Sequence, residues 1–367
     1  MQTHRFVSTV FTITLLILAS CSSTVPSVKT LQQHFHDDRA LQQKLKVFSQ
    51  RYPNTIDIKS IGLSYEQRPI YAVRLGASSE ADDEKPALIA LFTQHANEHE
   101  VTEIALGMMD TLLERSAKEP RVRDLLNRVT LWLVPMVNPD GVAYDLSGKA
   151  APFSWRKNRR PTRNQAIGVD LNRNWARPAN TELPAAVLAD IKDPHSSRYA
   201  GPSPFSELEL QHVLRFFQAQ KNLTLFMDYH SGSGGFVQGF TGCFGARENP
   251  ALTHCEAIIQ PYAEILNDQH SKNPGYVVIE SEQDIADALH NNAPWPLKPF
   301  LPKTLPPTPG KSLDYMGEQN QVMSIGLEIN RPKQYFKNLA YFQARLVDRH
   351  TEGLLYLLEV LSEQTPP

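Results

Sequence analysis

Four short apolar runs constrain this chain more than any other feature. "PALIALFTQ" (86–94), "RVTLWLVPMVNPDG" (128–141), "LTLFMDYH" (223–230) and "VMSIGLEIN" (322–330) each hold an unbroken apolar stretch of strand length. Such runs are buried on both faces, as in the interior of a parallel or mixed sheet. Helical patterns lie between them. Residues 98–115 place Val101, Ile104, Ala105, Met108, Met109 and Leu112 on one face, and 41–53, 204–220, 249–270 and 339–363 read as further helices. Residues 57–76 read as two strands around a polar turn. Buried strands alternating with helices predict one α/β domain over 40–363, a twisted, mixed, mostly parallel sheet flanked by helices. The run 294–309 carries seven prolines. A loop that long in a compact domain reads as a lid or pocket wall.

The chain ahead of this domain has another character. Residues 6–19, "FVSTVFTITLLILA", are apolar, follow His4 and Arg5, and lead into small residues, which reads as a secretory signal over 1–20. The stretch is shorter than the ~20 residues of a spanning helix. "LASC" (18–21) resembles a bacterial lipobox, with Cys21 as the lipidated first residue; an ordinary signal with a chance cysteine is the alternative. Residues 21–39 read as a tether. The expected location is the bacterial envelope, on the outer membrane facing the periplasm, with contact to the membrane through the lipid alone. Cys243 and Cys255 then remain, either as a disulfide or as two free buried thiols.

A formal net charge of −2 gives no field for nucleic acid. The basic run Arg156, Lys157, Arg159, Arg160 and Arg163 lacks interleaved aromatics and reads as a solvated face plus one catalytic arginine. A monomer is expected.

Three of the apolar runs end on residues that can act: His95, His230 and Glu328. In open α/β sheets ligands bind beyond the carboxyl ends of the strands. The segment "FTQHANEHEVTE" (92–103) is rich in metal-ligand types, but "HEVTE" (99–103) ends in Glu103 where a His-Glu-x-x-His helix needs histidine. His99 and Glu103 read instead as a solvated pair one helical turn apart. His95 and Glu98 sit at a strand-to-helix junction and can point at one spot. With a distant histidine they complete a His₂Glu set that leaves a fourth position open on zinc. Asp228, two residues before His230 on a strand, reads either as an orienting partner of a ligand or as a buried acid with another partner.

Several motifs carry a family resemblance. H95-x-x-E98, the lone His230, "NPDG" (138–141), "SWRK" (154–157), "GVDLNRNW" (168–175), "YAGPSPFSELE" (199–209) and "LEI" around Glu328 stand in the order found in zinc carboxypeptidases. Over roughly 40–360 the chain resembles the family typified by pancreatic carboxypeptidase A, peptidase family M14. The resemblance implies a metallocarboxypeptidase with one Zn²⁺ per chain, held by His95, Glu98 and His230. It implies Glu328 as the general base for zinc-bound water, Arg156 for the oxyanion, and Asn172 and Arg173 for the substrate's terminal carboxylate. Leu313, matched to the pocket floor, implies a neutral or apolar terminal residue. The family's digestive members carry a tyrosine in the loop before that position, and 294–314 holds none. Substrates on this reading are scavenged peptides or cell-wall stem peptides (muropeptides). An amide hydrolase of the same fold would tend to lack the "NRNW" context, and a non-catalytic relative would have lost a ligand or Glu328.

Overall fold

The computed structural model describes residues 28–77, 84–151, 153–177, 182–231, 239–244, 250–267, 276–278, 310–329 and 338–363. The signal, Cys21 and the whole proline-rich 294–309 loop lie outside the described residues.

In chain order the elements are α1 (Val28–His34), α2 (Asp38–Arg51), β1 (Ile56–Leu63), β2 (Pro69–Leu75), β3 (Ala87–Phe92), α3 (His99–Lys118), α4 (Pro120–Arg128), β4 (Thr130–Val134) and α5 (Pro139–Asp145). Then come α6 (Ala185–Lys192), α7 (Leu208–Gln218), β5 (Leu223–Ser231), β6 (Gly239–Phe244), α8 (Pro250–Leu266), β7 (Tyr276–Val278), β8 (Met323–Ile329) and α9 (Leu339–Glu363). The strands form one eight-stranded sheet in the order β1-β2-β4-β3-β5-β8-β6-β7. Its centre, β4-β3-β5-β8, is parallel throughout. The edges supply the antiparallel pairs, so the mixed, mostly parallel sheet expected from the apolar runs is what forms.

The apolar runs are buried on both faces because strand side chains alternate. Leu88, Ala90 and Phe92 of β3 enter one core with Leu131 and Leu133 of β4, against α2, α3, α8 and α9. Ile89 and Leu91 enter the other, with Trp132, Val134 and α7 residues Leu210, Val213 and Phe217. On β5, Leu225, Met227 and Tyr229 serve the first core and Phe226 the second. Asp228 and His230 follow Phe226 on that second face, where the apolar pattern gives way to chemistry.

One expectation is corrected. Part of the segment read as a tether is folded. Leu31 of α1 and Phe35 after it are 1% and 4% exposed in the first core, and Gln32 Nε2 donates to Leu146 O at 2.9 Å. Burying two such side chains is worth roughly 1.5–3 kcal/mol each, which a free tether would forgo. In "NPDG", Asn138 caps α5 by accepting from Gly141 N at 3.0 Å, and Pro139 sits in the first turn. The strands β6 ("GFTGCF") and β7 ("YVV") were not visible in the sequence, being short or interrupted by glycine.

Cys243 of β6 and Cys255 of α8 form a disulfide, with Cα atoms 5.9 Å apart. Closing a loop of this size restricts the unfolded chain by about 3 kcal/mol. β6 lies beside β8, so the bridge holds the strand that flanks Glu328.

His36, between α1 and α2, grips α3. Its backbone N–H donates to Glu103 Oε1 at 2.7 Å and its Nδ1 lies 2.9 Å from both carboxylate oxygens. The Glu103 hydrogen bond outweighs partial burial and raises the imidazole pKa. A histidine whose pKa is raised on folding stabilises the fold fully below its unfolded pKa and loses that contribution as pH rises through the folded value. His36→Ala should therefore lower Tm more at pH 5.5 than at pH 8.5, read by calorimetry; an equal drop at both values would remove the ionic part of this contact.

Candidate metal centre and its surroundings

His95, Glu98 and His230 converge at the carboxyl end of the sheet. β3 delivers His95 three residues past Phe92, β5 carries His230, and Glu98 precedes the first residue of α3. One ligand atom from each lies within 4.8 Å of the others, and all three residues are buried. Glu98 Oε1 is 2.8 Å from His95 Nδ1, and Oε2 is 3.0 Å from His230 Nδ1. Burial would raise the Glu98 pKa, but the two imidazoles override it and hold the carboxylate ionised.

The outer nitrogens face carboxylates. His230 Nε2 lies 2.8 Å from Asp228 Oδ2, and His95 Nε2 lies 3.2 Å from Asp170 Oδ1, an ion pair without good hydrogen-bond geometry. A carboxylate on Nε2 assigns the proton there and leaves the Nδ1 lone pair free, the state in which imidazole ligates metal. Two Nδ1 atoms and an ionised carboxylate directed at one buried point suit a zinc ion. When bound by His95, Glu98 and His230, zinc would supply the polarisation of a carbonyl and the acidification of water.

Asp228 is thus the orienting partner, and it is itself held. Gln94 Nε2 donates to both of its oxygens at 2.8 Å and Ser312 Oγ donates to Oδ2. Trp175 Nε1 in turn fixes Gln94 Oε1 at 3.0 Å. Asn172, 4% exposed, is turned into this network rather than to the cleft. Its Nδ2 donates to Asp228 Oδ2 at 3.4 Å, beside His230 Nε2 on the same carboxylate, and its Oδ1 accepts from Ser312 N at 2.9 Å. Leu313 packs in the second core, 5% exposed.

Glu328 is the direct cross-strand partner of His230 on β8. Burial, aided by the nearby Glu98 charge, pushes its carboxyl up to about 7 against the pull of His230, His95 and Arg156. Arg156 reaches the carboxylates of both Asp170 and Glu98. Its Nε donates to Asp170 Oδ2 at 2.8 Å and its Nη1 is 3.9 Å from Glu98 Oε1. Burial opposes the Asp170 charge, but Arg156 and His95 hold its pKa well below the usual carboxylate range. One carboxylate therefore ties a ligand histidine to the arginine. Beside Arg156 opens a cleft of about 370 Å³ whose lining includes Trp155, Lys157, Gln165, Ile167 and His195.

The fold is also what a search of known proteins returns. The model of the family described as "Zinc carboxypeptidase" matches residues 41–345.

The chain belongs to the zinc carboxypeptidase family.

Among its relatives, "Zinc carboxypeptidase" of Saccharothrix mutabilis subsp. capreolus is 36% identical over 124 residues, which is 34% of this chain and 28% of that protein. "Carboxypeptidase A4" of Mus musculus is 29% identical over 200 residues, 54% of this chain and 45% of that protein. The matches thus span less than half the length of either relative. The crystal structure of thrombin-activatable fibrinolysis inhibitor superposes with a TM-score of 0.70 over 94% of this chain and 79% of that one, at 19% identity, a likeness of fold.

Relative to the sequence expectations for this zinc carboxypeptidase-family chain, the three metal candidates, Glu328 and Arg156 come together. The basic run is exposed only at Arg163 and is otherwise packed against the protein. Lys157 is buried and donates to Pro194 O at 2.8 Å, Arg160 pairs with Glu207 at 2.9 Å, and Arg159 lies 3.6 Å over the Tyr144 ring. His99 and Glu103 do not pair: Glu103 takes His36, and His99, 1% exposed, faces Asp145. Asp170 was overlooked although it stands inside "GVDLNRNW", two residues before Asn172. Asp145 had no motif to mark it.

Proposed function

We propose that this protein is a zinc-dependent carboxypeptidase that removes the C-terminal residue of peptides. The observation that carries the proposal is the convergence of His95, Glu98 and His230 beside Glu328, with Arg156 reaching Asp170 and Glu98. In this reading His95, Glu98 and His230 hold the ion. Glu328 takes the proton from the attacking water and passes it to the departing amine. Arg156, braced by Asp170, donates to the oxygen that becomes negative as the tetrahedral centre forms. Arg173 receives the substrate's terminal carboxylate, since a planar guanidinium offers two parallel donors, and Asn172 lies beside it. Leu313 packs in the second core, and its match to the family's pocket floor is what favours neutral or apolar terminal residues on this reading.

The setting proposed is the bacterial envelope, with the chain anchored by lipid at Cys21. Peptides there include scavenged fragments and cell-wall stem peptides. Among the described residues no helix is long and apolar enough to cross a membrane.

The test is a release assay on the purified protein, with ordinary peptides in one arm and purified muropeptides in the other. Single terminal residues should appear, vanish with a chelator, return with zinc, and not appear from the same peptides ended by an amide. Cleavage of the amidated peptides at full rate, or activity indifferent to chelation, would refute the exopeptidase reading.

A further inference from the structure

Outside the metal centre, the buried cluster without an assigned role and best placed to influence it is His99 with Asp145. His99 opens α3 directly after Glu98, and Asp145 closes α5; both are essentially inaccessible to solvent. His99 Nε2 donates to Asp145 Oδ2 at 2.7 Å. The same carboxylate accepts three successive backbone N–H groups: Phe153 at 3.0 Å, Ser154 at 3.1 Å and Trp155 at 2.7 Å. Arg156 is the next residue.

Four donors on one buried carboxylate fix a turn more firmly than its own backbone preference would. Phe153 sits at φ 58°, a left-handed conformation. For a bulky residue this costs on the order of 1–3 kcal/mol, and it persists only where the surroundings over-determine it. Here the strained residue's own N–H is one of the groups Asp145 holds. The ring of Phe35 covers the pair, 5.5 Å from His99 and 5.7 Å from Phe153 between centroids. Beyond the turn, Arg156 O accepts from Ala96 N at 3.0 Å, which stitches the arginine to the loop between His95 and Glu98. Gly141 makes room for that crossing: a Cβ there would lie 2.5 Å from Ala96 Cβ and 2.6 Å from Lys157 O.

We propose that the His99–Asp145 pair is a positioning device that sets the 153–155 turn so that Arg156 meets the reacting carbonyl. The proposal rests on the carboxypeptidase reading for its consequence in turnover. His99 and Asp145 touch neither substrate nor metal and act through Arg156. A group that donates to developing charge lowers the barrier rather than binding the ground state, so misplacing it lowers kcat and leaves KM nearly unchanged.

Three variants test it: His99→Leu, His99→Gln and Asp145→Asn. Glutamine can place an amide N–H where imidazole Nε2–H stands, and leucine cannot. His99→Leu and Asp145→Asn should lower kcat about 10- to 100-fold, the scale of a small misplacement of a reacting group, with KM and zinc content held. Amide exchange at 153–155 should quicken, and crystals of the variants should show Arg156 displaced from Asp170. His99→Gln should recover most of the turnover and the protection. The proposal is overturned if exchange quickens with kcat unchanged, or if His99→Gln and His99→Leu lose turnover equally along with zinc or global stability. If the wild-type protein releases no terminal residue, the functional reading fails by itself. The exchange rates and the Arg156–Asp170 contact then still decide whether the pair positions the arginine.

Discussion

His95→Ala should abolish stoichiometric zinc binding and with it all measurable release of C-terminal residues. Three protein donors meet at this point, and removing one leaves only Glu98 and His230, one short of the three protein ligands that a catalytic zinc site keeps. Losing a mere outer partner of a ligand already costs about 10- to 100-fold in affinity or activity, so loss of the ligand itself should take binding below the useful range. Thermal shift gives a readout independent of turnover. Zinc at a hundred times its dissociation constant stabilises a folded protein by about 2.7 kcal/mol. Wild-type Tm should rise on titration with zinc, His95→Ala should not respond, and His99→Leu should respond like the wild type. A zinc-dependent rise retained by His95→Ala would move the centre elsewhere.

Glu328→Gln should keep zinc and lose turnover. The substitution preserves shape, so the pairing of β8 with β5 and β6 has no reason to change. Burial already disfavours the ionised form of this carboxyl, so an amide should be tolerated or slightly stabilising. What glutamine cannot do is accept a proton from water and return it to a leaving amine. Removing a general acid–base of this kind costs about 10²–10⁴ in rate. Steady-state kinetics on one good peptide, with metal content measured on the same sample, decides the matter: more than a tenth of wild-type kcat with zinc intact would assign the proton transfer to another group.

The parts of this architecture legible in the sequence share a physical cause. β3, β5 and β8 were readable because double-sided burial leaves an unbroken apolar run, and because His95, His230 and Glu328 end those runs abruptly. Their meeting at one point followed from the strands being neighbours in a parallel sheet. His99 was misread because local spacing suggests a partner one helical turn away, whereas tertiary packing gives Glu103 to His36 and His99 to Asp145, distant in sequence. Arg159 and Arg160 were misread for a related reason. A cationic run looks solvated until a ring such as Tyr144 or an acid such as Glu207 packs against it.

α1, the first described element, sets a working distance. If Cys21 carries the proposed lipid, seven residue steps separate it from Val28, where α1 begins. A fully extended chain covers at most ~3.3–3.6 Å per residue, so the leash is about 25 Å long at most. The catalytic domain would ride close against the bilayer and could not sweep through the surrounding space. Its substrates would have to come to the membrane, either by diffusion of small peptides or by lying in wall material already near that surface. Lengthening the leash, without touching the site, would then change which of the two it can reach.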